Sequence, residues 1–123
     1  MDAVVPASRR VHVLHLLGNA IVGGMEASVI RLARELPQTS FRMSVLCPFE
    51  SFVTSELRNA GCNVLIAPVR DNPSWEAAQT AATFVLDEHV DVVHAHLANA
   101  HVLGAVVSSL THRRALQRFT DDR

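Results

Sequence analysis

Four short runs of apolar, mostly β-branched residues punctuate the chain: Val11–Leu17, Phe41–Cys47, Asn63–Val69 and Asp91–Ala95. None alternates cleanly between apolar and polar positions, as a half-exposed strand would. Continuous apolar runs of this length suit strands buried on both faces of a parallel sheet. Between them the spacing turns helical. Met25, Val29, Leu32, Ala33 and Leu36 share one helical face, and Pro37 stops that helix. A second helix is expected over Ser51–Ala60, with Gly61 at its C-terminal end. The third opens on "NPSWE", where Asn72 can cap, Pro73 suits the first turn and Glu76 complements the dipole. It runs towards His89. A fourth, from about Asn99 to Leu110, carries Val102, Leu103, Val106 and Leu110.

The order is strand–helix four times over, with no room for hairpins. Such strands must be parallel, joined by right-handed crossovers. The expected fold class is α/β: a Rossmann-like three-layer α/β/α unit with a parallel sheet of about four strands. In that topology the first and fourth strands are neighbours on either side of the switch point. The loops that follow them, Gly18–Glu26 and His96–Asn99, then face each other across the crevice where open α/β sheets bind ligands. Residues 1–10 read as an N-terminal extension, 11–110 as the domain, and 111–123 as a polar tail without a further strand.

Composition narrows the possible partners. The chain has 123 residues, 49% hydrophobic and 19% charged, enough for one domain with a real core. A formal net charge of -1 gives no electrostatic case for nucleic acid or an anionic membrane. Every basic side chain is arginine, so a Schiff-base lysine and a phosphate-loop lysine are excluded. Cys47 and Cys62 lack C-x-x-C spacing and read as free thiols of a reducing compartment. The N-terminus resembles a signal peptide only superficially, since His12, His15 and Gly18 interrupt its apolar part. No apolar run approaches the roughly 18 residues of a membrane span. A cytoplasmic chain is expected, with a peripheral position at the inner membrane left open.

The glycine-rich stretch "LLGNAIVGGMEAS" invites comparison with phosphate loops. The pattern G-x-x-x-x-G-K-[ST] begins at Gly18 and Gly23, then fails at Gly24 and Met25, where a lysine and a hydroxyl residue belong. The dinucleotide pattern G-x-G-x-x-G fails as well, and the second strand ends in Cys47-Pro48 rather than an acid. What survives is physical. Gly23 and Gly24 lack a Cβ, so the backbone can take positive φ and a ligand can come close. The helix starting there points unpaired N–H groups at such a ligand, and Glu26 complements the dipole. A plain tight turn explains the glycines equally well.

"DVVHAHLANAH" gathers His94, His96 and His101 at the end of the fourth strand. His94 and His96 point to one face. A zinc site needs a third ligand, and neither a nearby cysteine nor an acid completes the set, so no metal is expected. His94 reads as a hydrogen-bonded core histidine. His96, at the crevice mouth, can donate to a sugar hydroxyl or a phosphate. His12 and His15 read as structural, His89 and His112 as surface, Trp75 as a packing anchor, and Arg31 and Arg34 as solvent-facing. No serine or cysteine catalytic set can be assembled from spacing.

Two stretches together carry a resemblance. "VHVLHLLGNAIVGGMEASVIRLARELP", with G-G-x-E at Gly23–Glu26, resembles the first strand, glycine loop and first helix of family 4 glycosyltransferases. "DVVHAHLANAHVLGAVVSSL" is similar to the fourth βα unit of the same N-terminal domain, where D-[VI]-[VI]-H-x-H is common. The two cover about residues 11–110. The resemblance implies half of a GT-B architecture, two Rossmann-like domains with the active site between them. It implies transfer of a sugar from a nucleotide-sugar to a sugar or lipid-linked acceptor, with retention and without an essential metal or other cofactor. By the family pattern His96 is the catalytic residue. It hydrogen-bonds the transferred sugar, and the diphosphate leaving group takes the acceptor's proton. Gly23, Gly24, Glu26 and Asn99 are the substrate-binding candidates.

The C-terminal donor domain and its E-x7-E motif have no counterpart in the sequence; no acidic pair has that spacing. The expectation is therefore a glycosyltransferase N-terminal domain, inactive alone, with a separately encoded donor domain as one possible partner. A non-catalytic acceptor-binding or interaction module and half of a GT-B-type sugar-nucleotide epimerase are the alternatives.

Overall fold

A computed structural model describes residues 10–18, 23–68, 75–96, 98–111 and 114–118, the backbone alone for 98, 99, 101 and 114–118. The elements run β1 (Val11–Leu17), α1 (Gly24–Glu35), β2 (Phe41–Cys47), α2 (Phe52–Asn59), β3 (Asn63–Ile66), α3 (Trp75–Asp87), β4 (Val92–His96), α4 (Ala98–Thr111) and β5 (Arg114–Arg118). The strands form one sheet in the order β3-β2-β1-β4-β5, every neighbouring pair parallel. β1 and β4 are adjacent, with Val13 opposite Val92 and Leu17 opposite His96, so the switch point lies where the strand order required it.

Side-chain alternation divides the core in two. Leu14 and Leu16 of β1, Leu46 of β2 and Val93 and Ala95 of β4 pack under α3 and α4 with Ala77, Ala81, Val85, Leu103 and Val107. On the other face Leu17, Met43, Val45 and Cys47 meet Val29, Ile30 and Ala33 of α1 and Val53 and Leu57 of α2. Each fully buried leucine contributes about 1.5–3 kcal/mol.

The helix ends follow local chemistry. Ser51 accepts a hydrogen bond from the Val53 N–H at 3.0 Å, and Thr54 Oγ1 accepts one from the Ser51 N–H at 2.9 Å, a reciprocal cap. Gly61 takes φ 96° after α2, a conformation costly for any residue with a Cβ. Leu36, before Pro37, leaves the helix at ψ 137°.

Three expectations need correction. The sheet has five strands: Arg114–Arg118 of the supposed polar tail pairs with β4. An outer strand needs hydrogen-bonding partners on only one side, and polar composition does not prevent that. β3 ends at Ile66, short of Val69. Trp75 is 63% exposed, so it does not anchor packing. The Asn72–Pro73 helix start lies outside the described residues. Arg31 and Arg34 do face solvent, and Arg34 pairs with Glu56.

Candidate functional site

The C-terminal ends of β1 and β4 converge on α1. Gly23 is the N-cap of α1 and offers no side-chain cap, so the first N–H groups of that helix are not capped by it. Its φ of -158° is extended backbone, and Gly61 is the only glycine with positive φ among the described residues. The expected use of positive φ at Gly23 and Gly24 is therefore corrected. The space beside Gly24 is open: a Cβ built there meets nothing within 4 Å.

The next two residues point into the molecule. Met25 places its thioether 3.0 Å from Nδ1 of His96, joining the first turn of α1 to the last residue of β4. The two stretches that the topology had set face to face are in direct contact. Glu26 is only 5% exposed, and its charge helps raise the Cys47 thiol, so it lies towards the end of β2. Asn99 stands in the first turn of α4. Its side chain lies outside the described residues.

His96 is 2% exposed and belongs to a group of three imidazoles. His15 of β1, taken from the sequence as structural, sits opposite His94 in the strand register and reaches His96 with Nδ1 2.9 Å from Nε2. His94 packs against His96 with ring centroids 4.2 Å apart. One ligand atom from each of the three lies within 4.8 Å of the others, so His15 supplies the third imidazole that the sequence lacked.

The ring geometry decides how the buried pair is used. The His15 and His96 centroids are 5.1 Å apart with planes 26° from parallel. A 2.9 Å approach then puts the two nitrogens between the rings, facing each other, as a shared proton requires. An ion bound by both would need lone pairs converging on a point about 2.0–2.1 Å from each, so the rings would have to turn.

The surrounding groups are quiet. Burial, then the neighbouring His96 and His94, push His15 down to about 3, so it is neutral at pH 7. Burial pushes the Cys47 thiol up to about 12 and the Cys62 thiol to about 11. Both cysteines are free, and neither offers a thiolate nucleophile. His12, at the opposite end of β1, is structural: Nδ1–H donates to the Glu88 carbonyl at 3.0 Å and Nε2 accepts from Ser44 Oγ at 2.7 Å.

Comparison with known proteins gives this arrangement a context. The sequence profile of Glycosyltransferase Family 4 matches residues 22–116, which include both the glycine turn and His96. The chain belongs to glycosyltransferase family 4. No curated protein matches it by sequence. Among solved structures it resembles a glycosyltransferase from Rickettsia africae, with TM-score 0.74 and 17% identity over 88% of this chain and 29% of that one. It also resembles Acinetobacter baumannii MurG, with TM-score 0.65 and 19% identity over 87% of this chain and 33% of that one. The O-GlcNAc transferase of Thermobaculum terrenum is a third, with TM-score 0.67 and 11% identity over 94% and 22%. At these identities the likeness is one of fold, and this family 4 chain spans between a fifth and a third of their lengths. No helix among the described residues is long and apolar enough to cross a membrane.

Proposed function

We propose that this family 4 domain forms the acceptor side of a sugar-transfer cleft. In this reading a second Rossmann-like domain, in the same or another chain, holds a nucleotide-sugar and completes the site. The observation that carries it is the Met25–His96 contact, which puts the glycine turn and the end of β4 at one point of the switch crevice. Both lie within the family match.

His96 hydrogen-bonds an oxygen of the transferred sugar. The start of α1, where Gly23 provides no side-chain cap, lets acceptor and donor phosphate approach backbone N–H groups. Glu26 holds the first turn in place against the end of β2, and Asn99 meets the acceptor from α4. Transfer proceeds with retention, without a metal, in the cytoplasm. His96 stabilises developing charge by hydrogen bonding rather than by attack.

Isothermal titration of the chain with UDP- and GDP-sugars tests the division of labour. Little binding is expected, because the donor is held mainly by the second domain. Tight binding accompanied by sugar transfer would overturn the reading.

A further inference from the structure

Two contacts of His96 bear on where its proton sits. The Met25 thioether, 3.0 Å from Nδ1, offers only lone pairs, so the contact is attractive only when Nδ1 carries the hydrogen. In its neutral form, His96 with a hydrogen on Nδ1 is bare at Nε2. That bare nitrogen faces Nδ1 of His15 at 2.9 Å, so the proton between them belongs to His15. Held neutral by burial, His15 has one N–H to give, and this contact fixes its position. The donors then run one way, from His15 Nδ1–H to His96 Nε2 and from His96 Nδ1–H to Met25 Sδ.

We propose that His15 is the positioning residue of this site: together with Met25 it holds His96 in the Nδ1–H tautomer and aims that N–H at the first turn of α1, where Met25 holds the place of an incoming ligand oxygen. A thioether is a weak acceptor. A sugar hydroxyl or phosphate oxygen replaces it with a stronger one while His96 keeps its orientation and protonation. Such a donor, set before the ligand arrives, costs no reorganisation on binding. The ligand-facing half of this inference rests on reading His96 as the sugar-facing histidine; the tautomer does not.

Nitrogen-15 NMR of the full chain at neutral pH, without ligand, reads the tautomer directly. Expected are a protonated-type His96 Nδ1, a bare-type Nε2, and scalar coupling between His15 Nδ1 and His96 Nε2 across the hydrogen bond. His15→Gln, whose amide still donates, keeps this pattern. His15→Phe fills the space without donating and returns His96 to the Nε2–H form that an unconstrained histidine prefers. If His15→Phe does not fold, the wild-type coupling and the His15→Gln pattern carry the test. A wild-type His96 protonated at Nε2, or at both nitrogens, would overturn the proposal, as would an unchanged tautomer in folded His15→Phe. Because no ligand is used, that failure is distinct from failure of the sugar-transfer reading.

Discussion

His12 and His15 stand three residues apart on β1 and face opposite sides of the sheet. Both are buried, and burial lowers both pKa values below the ordinary 6.5. An unfolded chain therefore binds more protons than the folded one below about pH 6.5, and stability must fall with acidification. For His15 the loss continues towards pH 3. Each histidine contributes a slope of at most about 1.4 kcal/mol per pH unit. Between pH 6.5 and about 4.5 this precedes protonation of Glu50 and Glu88, which Arg58 and Arg42 hold below the usual carboxylate range. Urea unfolding across that window should show the decline, shallower in His15→Gln; equal slopes would contradict it. The role of His15 was not legible from its neighbours in sequence. Its partner is 81 positions away and meets it only through the β1–β4 register. His96 was expected on the loop after a strand ending at Ala95; it is instead the buried last residue of β4.

At the scale of elements, β1 and β2 were readable to the residue because each is a mostly apolar run. β5 was not, since "RALQR" lacks that signal and its pairing depends on a neighbour already in place. The fit of α4 is closer than its apolar pattern announces. A Cβ on Gly104 would lie 3.2 Å from Ala95 Cβ and 3.6 Å from Leu16 Cδ1, so the glycine lets α4 sit directly on β1 and β4. Gly104→Val forces those layers apart beside His96. The expected loss is on the order of 1–3 kcal/mol in denaturant unfolding. Unchanged stability would show that the contact is easily relieved.

For the whole molecule, two cores on opposite faces of one sheet hold the crevice ends of β1 and β4 in fixed register. That rigidity places Gly23, Gly24, Met25 and His96 together, and those four residues lie within the family match. The order of the first four strands could be read from the sequence pattern; the fifth, which completes the sheet beside β4, could not. The account stands or falls on sugar transfer by this domain joined to a family 4 donor domain. Transfer is expected from the joined protein and not from the domain alone. His96→Ala should slow it by about 10²–10³-fold, the effect of removing one preorganised hydrogen-bond donor. Equal transfer by the isolated domain, or a His96→Ala variant as fast as the parent, would contradict it.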